Sequence, residues 1–264
     1  RSASLYERHL QEAQRIAFTV GVPDAVRNND PASLESMLRG FARVGDFDSV
    51  IVADASGREV LGVQQVQVGD DLQYQFSTDT DLSGQPILQA ILTQSTSQSS
   101  GIMRTPTGFQ LYTATPIMSD GLQIGVVLVG QRLSEVLIEL QGSAFAELVL
   151  YGVDAELLST TFDDSVAREA LVLPAENFSQ ALNASNQVPV LELTIDSVLY
   201  QGAYQPFNYG ASTLGVIGAV RRDDVPFATE FGRQLTAVFA AVFAGGAVVV
   251  GFMSISAVTE RANK

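Results

Sequence analysis

One stretch near the C-terminus limits what this chain can fold into. From Gln234 to Thr259 no residue is charged, and the 21 residues 235–255 read LTAVFAAVFAGGAVVVGFMSI. About 20 apolar residues span a hydrocarbon core of roughly 30 Å as a helix. A core helix of a small domain has no need of an apolar run on every face, so the run predicts a transmembrane helix. Small residues recur four apart within it: Ala237, Ala241 and Gly245, then Ala240 and Ala244, then Ala247 and Gly251. That spacing lets two helices approach closely in lipid. Arg221, Arg222 and Arg233 precede the run and Arg261 and Lys264 follow it, so the positive-inside rule gives it no clear orientation.

The remainder reads as a folded, water-facing region. Acidic residues outnumber basic ones 29 to 15, for a net charge of −14. Such a surface argues against nucleic acid, whose phosphates need a basic face, and against lying flat on anionic lipid. The chain has no cysteine, which excludes disulfides, a thiolate nucleophile and Cys-ligated metal. Arg1 to Gln14 is polar and does not read as a signal peptide; an exported domain would carry its signal upstream.

Residues 1–20 predict a helix. Ala3, Tyr6, Leu10, Ala13, Ala17 and Val20 are spaced 3, 4, 3, 4, 3, a heptad seam that faces either a second copy of the chain or the domain's own sheet. Pro23 and the stretch 28–31 break it. Asp30 then caps a second helix that has Pro31 at its first position and runs to about Ala42. From Phe47 the period becomes two: a strand at 49–53, a turn at 54–57 and a returning strand at 58–61. A polar stretch follows to Asp81, and Ser83 begins a short helix over 86–93. Strands are predicted at 102–105, 109–117 and 122–129, with a turn at Ser119, Asp120 and Gly121, and Ser134 caps a helix over 135–140. This order of helix, hairpin, helix and three-stranded meander predicts an α+β, PAS-like module.

The order then repeats. A second hairpin is read at 145–150 and 156–159, short helical pieces at 166–171 and 178–182, and a second meander at 191–195, 198–205 and 213–220. At a fixed offset of 90, Pro116 matches Pro206, Gly125 matches Gly215, Val126 matches Val216 and Arg132 matches Arg222. The segments are IGVVLVGQR and LGVIGAVRR. Two copies of one supersecondary unit follow.

A long N-terminal helix, two PAS-like modules in tandem and a transmembrane helix directly after the second resemble a double Cache (dCache) sensor domain. The local text DTDLSGQPILQAIL, YTATPIMSDGLQIGVVLVGQRL and AELVLYGVDAELLSTTF is similar to the variant found ahead of HAMP linkers in bacterial receptors, and AVTERANK at 257–264 is similar to the start of such a linker. The resemblance implies an extracytoplasmic region at 1–234 and a cytoplasmic C-terminus. It divides the chain into a stalk and helical region at 1–46, a membrane-distal module at 47–144, a membrane-proximal module at 145–224, a linker helix at 225–234, a span at 235–256 and the start of a cytoplasmic linker at 257–264. It also implies an upstream transmembrane helix and a kinase, cyclase or chemoreceptor output. Members that bind amino acids hold the amine with an acid near the end of the last strand of the distal module. Gly130 stands there, and Val220 in the second module, so that mode is not expected.

Little in the chain points to catalysis. His9, the single histidine, reads as a solvated residue on the polar face of the first helix. There is no G-x-S-x-G, H-E-x-x-H, Walker loop or G-x-G-x-x-G. Asp79 to Gly84 copies the first half of a calcium loop, but Ala90 stands where the twelfth-position acid belongs; Ser83 reads as a helix cap, with calcium as the other option. Arg104, in a strand otherwise short of charge, Tyr112 on the next strand and Tyr74 in the connecting segment form a candidate ligand site, fit for a carboxylate or another small anion. The alternative is that Arg104 points to solvent and the tyrosines are core. The expected partners are a small-molecule ligand, the membrane and a second copy in a parallel homodimer; no cofactor and no metal is expected. The leading function is ligand sensing that displaces the C-terminal span. A membrane-anchored binding or scaffold module without enzymatic output is the alternative, and an extracytoplasmic enzyme the third.

Overall fold

The two period-two regions form two antiparallel sheets of an α+β fold. The computed structural model describes residues 5–45, 47–69, 71–94, 96–144, 146–184 and 190–222. The predicted span, the linker helix with Asp223 and Asp224, the 257–264 segment and Ala3 of the seam lie outside the described residues. Among the described residues no helix is long and apolar enough to cross a membrane.

The chain opens with α1 (Leu5–Ala17), α2 (Val22–Arg27) and α3 (Pro31–Val44). Asp30 caps α3 as predicted: its carboxylate accepts from the Ser33 backbone N–H at 3.1 Å and the Ser33 hydroxyl at 2.6 Å, with Pro31 where its missing N–H costs nothing. The short α2 escapes the sequence, because Pro23 at its start reads equally well as a breaker. The buried face of α1 differs from the predicted seam. Leu5, Tyr6, His9, Ala13, Ile16 and Ala17 are buried, Leu10 is half-buried and Val20 is 95% exposed. Ala13, Ile16 and Ala17 belong to the core formed with α2, α3 and the sheet. That part of the seam therefore faces the domain's own sheet. His9 is 1% exposed rather than solvated, because it lies one turn from both Tyr6 and Ala13 on the buried face.

The first sheet follows: β1 (Ser49–Asp54), β2 (Glu59–Val68), β3 (Asp71–Ser77), β4 (Ser99–Thr105), β5 (Gly108–Ser119) and β6 (Leu122–Arg132), in the order β3-β2-β1-β6-β5-β4. The stretch read as polar connection holds β3, an edge strand whose exposed Asp71, Gln73 and Gln75 hide its period. α4 (Pro86–Leu92) begins after Gln85, which makes no side-chain cap. Ser83 instead gives its N–H and hydroxyl to Asp81 in a turn. The β5–β6 turn is as predicted, with Asp120 and Gly121 at φ 53° and 76°, the left-handed pair a two-residue hairpin requires. One core lies on the α1–α3 side of the sheet, with Val50, Val52, Val127 and Val129. The other lies on the α4 side, with Ile87, Leu88, Ile91, Met103, Tyr112 and Leu128.

α5 (Leu133–Ala144), with Ser134 inside rather than capping it, leads to β7 (Glu147–Tyr151), β8 (Leu157–Thr160), a 3₁₀ turn (Arg168–Leu171), α6 (Ala175–Leu182), β9 (Val190–Ile195), β10 (Val198–Tyr209) and β11 (Ser212–Arg222). The second sheet runs β8-β7-β11-β10-β9. Contacts group Glu7–Glu139 as one compact unit and the start of α1 with the described residues from Leu140 onward as another.

The offset of 90 is a register, not only a text match. Pro116 pairs with Val126 and Pro206 with Val216. The ladder slips between Ile117 and Met118 in β5 and between Phe207 and Asn208 in β10. Both prolines sit beyond the reach of the next strand, since β4 covers β5 only to Ala114 and β9 covers β10 only to Ala203. A residue without an N–H is tolerated there.

Candidate functional site

On the α4 side of the first sheet, three polar side chains close on one another. The Tyr112 hydroxyl of β5 donates to Gln110 Oε1 at 2.8 Å, and Ser49 Oγ of β1 lies 2.5 Å from the same oxygen and 3.0 Å from the tyrosine hydroxyl. All three residues are buried. Gly130 faces Tyr112 across the β5–β6 ladder, and a Cβ there would stand 2.4 Å from the tyrosine ring. The glycine thus leaves room for the aromatic ring. The Tyr112 hydroxyl is pushed up to about 12 by burial, with the negative charges of Glu59 and Asp48 adding to it. It is a proton donor at neutral pH.

Glu59 enters from β2. The hairpin before it is held by Asp54 Oδ1, which accepts from the backbone N–H groups of Ser56 at 2.8 Å and Arg58 at 3.0 Å. That turn ends one residue before Glu59, where the β1–β2 ladder slips at Val52 and Ala53. The Glu59 side chain lies over Gly62, where a Cβ would come within 2.0 Å of Oε1. Oε1 accepts from the Ser77 hydroxyl of β3 at 2.7 Å. Oε2 is buried and has no hydrogen-bond partner, in a residue only 4% exposed. An orphaned buried acceptor costs about 1–3 kcal/mol, and more when charged.

Glu59 and Tyr112 line a cavity of about 150 Å³, together with Ser49, Ile51, Met103 and Arg104. Drug-sized pockets begin near roughly 300 Å³, so an occupant is compact. Of the three residues singled out in the sequence, the structure brings Arg104 and Tyr112 to this cavity. Arg104 is exposed at its rim, with its guanidinium 5.6 Å above the Phe109 ring. Tyr74 is elsewhere: it donates to the Ala42 carbonyl at 3.0 Å and packs in the α1–α3 core, on the other side of the sheet from Tyr112. Glu59, Ser49, Gln110 and Ser77 escaped the sequence reading. For Glu59 a signal existed: it heads the uncharged apolar run Val60, Leu61, Gly62 and Val63, where an acid must find a donor.

The second module carries the same frame without this chemistry. At an offset of 90, Arg104 corresponds to Thr194 and Tyr112 to Gly202. Across the hairpin the offset is 98, and the Ala53–Glu59 pair corresponds to Tyr151–Leu157. Tyr151, Phe162, Leu171, Leu173, Phe178 and Tyr204 pack there as an apolar core. The Tyr151 hydroxyl is capped by the Leu171 carbonyl at 2.6 Å, and burial raises both tyrosines well above their ordinary range. A larger groove of about 540 Å³ lies at the end of β11, walled by Glu147, Phe162, Tyr200 and Arg222. Its charges are more open to solvent than Glu59: Asp163 and Arg222 are exposed.

The first-module cavity can hold a small molecule by the unpartnered Glu59 acceptor and the rim cation Arg104. Among the described residues no group of three or more His, Asp or Glu side chains could hold a metal ion.

A family model described as the double sensory domain of two-component sensor kinases, dCache_3, matches residues 4–222. No curated protein matches the chain significantly. Among solved structures, the extracellular domain of a protein assigned as a histidine kinase, vpHK1S-Z8, is 13% identical with a TM-score of 0.58, covering 83% of this chain and 90% of that one. A domain of a Vibrio parahaemolyticus protein assigned to the sensory box/GGDEF family is 11% identical with a TM-score of 0.55, covering 86% and 92%. The ligand-binding domain of the Pseudomonas fluorescens chemoreceptor CtaA, in complex with L-serine, is 19% identical with a TM-score of 0.52, covering 84% and 90%. At these identities the likeness is one of fold.

Proposed function

We propose, from the premise that this chain belongs to the family of double sensory domains of two-component sensor kinases, that it is the ligand-sensing region of a transmembrane receptor whose ligand enters the first module. The observation that carries this is the cavity lined by Ser49, Glu59, Arg104 and Tyr112, on a frame whose second copy has Leu157, Thr194 and Gly202 at the corresponding places. Ser49 is answered by Glu147, but the fold does not need Glu59, Arg104 or Tyr112, so their convergence supports a binding role. The CtaA domain with L-serine supports a small-molecule ligand on this fold. Arg104 at the rim suits an anionic group on that ligand.

A metabolite screen by thermal shift on the full 264-residue chain in detergent tests this, since a binder raises apparent stability by mass action. Arg104→Ala should weaken an anionic binder at least tenfold and leave the ligand-free midpoint unchanged, because exposed substitutions rarely move stability by more than about 0.5 kcal/mol. An unchanged ligand response returns Arg104 to a solvent role.

The signal leaves through the segment after Arg222 and the span at 235–255, towards a kinase, cyclase or chemoreceptor output. Residues 1–234 then lie outside the cytoplasm and Arg261 inside, with two spans meeting along Ala237, Ala241 and Gly245. In intact cells an impermeant thiol reagent should label Ser56→Cys and not Asn263→Cys, and Ala241→Cys should crosslink to its copy in membranes. Equal labelling removes the span and leaves a binding module without a membrane relay.

A further inference from the structure

The first-module cavity contains one group whose hydrogen bonding is incomplete. Glu59 lines it, is more than nine-tenths buried, and directs Oε1 to Ser77 while Oε2 has no partner. Of the other polar side chains nearby, Ser49, Gln110 and Tyr112 bond one another, Gln64 bonds Thr107 and Thr105 the Gly108 carbonyl, and Thr80 is exposed. Among the described residues no ion pair reaches Glu59. The single cation on the cavity wall, Arg104, is exposed and stacked on Phe109. The interior of the cavity is therefore acidic and short of a donor, whereas its rim is basic.

The backbone is arranged for this carboxylate. Gly62 is the only residue that leaves space for it, since any Cβ there would meet both Glu59 Oε1 and the Ser77 hydroxyl, at 2.0 and 2.4 Å. Ser77 comes from β3, a strand without a counterpart in the second sheet among the described residues. In the second module the corresponding residues are Leu157 for Glu59 and Thr160 for Gly62, so sheet stability asks for neither the acid nor the glycine. A carboxylate kept buried at a cost, where an apolar residue serves in the sister copy, has its complement in a ligand.

We infer that Glu59 is a ligand-contacting residue, and that the ligand is a compact molecule whose leading end is a protonated amine seated on the Glu59 carboxylate. One ammonium supplies the N–H donor that Oε2 lacks and neutralises the buried charge, as a charge-assisted hydrogen bond. A divalent cation would need further carboxylate or histidine ligands, and no such cluster occurs among the described residues. This inference rests on the first module being the sensing site, and it adds a cationic group to the anionic one expected at Arg104.

Three matched probes separate the two ideas: propylamine carries the amine alone, propionate the carboxylate alone, and β-alanine both. Thermal shift and calorimetry on the full chain in detergent should show binding of propylamine and β-alanine. Propionate should bind at least tenfold more weakly than β-alanine. Glu59→Gln keeps the acceptor for Ser77 but places an N–H₂ group where Oε2 was; it should weaken both amines at least tenfold while the ligand-free midpoint holds. Should that variant fail to fold, Glu59→Asp withdraws the charge by one methylene and should weaken the amines without reversing the order of the probes. Propionate binding as well as β-alanine, or amines binding Glu59→Gln as they bind the parent, overturns the role of Glu59 and leaves the sensing site at Arg104 standing. No response to any of the three probes also overturns the amine, and the wider screen with Arg104→Ala then decides the sensing site separately.

Discussion

The two modules share a frame and differ in what fills it. Their sheets pair in the same order apart from β3, with the same proline against the same valine and the same ladder slips. Gly125 and Gly215 also match, and each is forced by a carbonyl: a Cβ would lie 2.4 Å from the Ala53 oxygen in one copy and 1.9 Å from the Tyr151 oxygen in the other. Backbone geometry is thus common property. The inward side chains are not. The first module puts Glu59, Arg104 and Tyr112 around a cavity, while the second closes the space with Tyr151, Tyr204, Phe162 and Phe178. The difference teaches that one copy keeps a polar chamber where the other packs aromatic rings and leaves an open groove at the end of β11, at no change in the strand register that both depend on.

The largest test of this contrast is in the second core. Phe178, on α6, is 6% exposed among Tyr151, Phe162 and Leu173. Phe178→Ala should cost about 3–5 kcal/mol, read as a lower denaturant midpoint, and should leave the affinity of any ligand of the first module unchanged. A mild loss there, or a ligand response that disappears in a folded variant, would mean the second interior is not simply a core and would break the contrast.

A smaller effect sharpens it from the other side. Tyr112 is held as a phenol up to about 12 by its burial, against an ordinary value of 10. Its folded pKa is raised, so its contribution to stability is complete below pH 10 and is lost as pH climbs towards 12. The slope is about 1.4 kcal/mol for each pH unit in that window. Tyr151 and Tyr204 are raised by burial as well and add to the same alkaline loss. Urea midpoints measured across the window should fall, and Tyr112→Phe should remove its share of the slope while the second-module share remains. An unchanged slope in that variant would mean Tyr112 is not sealed by the fold.

Much of the fold was legible because its signals are local. The Asp30 cap, the Asp54 turn and the Asp120–Gly121 hairpin are each settled within four residues. β3 was hidden because three of its alternate residues are exposed and polar, and an edge strand gains its pairing from β2 rather than from its own pattern. The site was half legible. Arg104 and Tyr112 stood out as a charge and a ring in strands. Tyr74 stood out equally, but its strand turns it to the opposite core.

By itself the sequence determined the strands of the two sheets except β3, their meanders and the 90-residue register, since period-two patterning and turn residues act over neighbours in the chain. It also supplied the apolar run at 235–255, whose length alone matches a bilayer. Only the tertiary structure decided which face of α1 is buried, and with it the enclosure of His9. It alone set Glu59 beside Ser77, 18 residues on, and Tyr112 beside Ser49, 63 residues back. Burial and hydrogen bonding between distant strands depend on where the sheet brings them, and a single stretch of chain carries no record of its neighbour across the ladder.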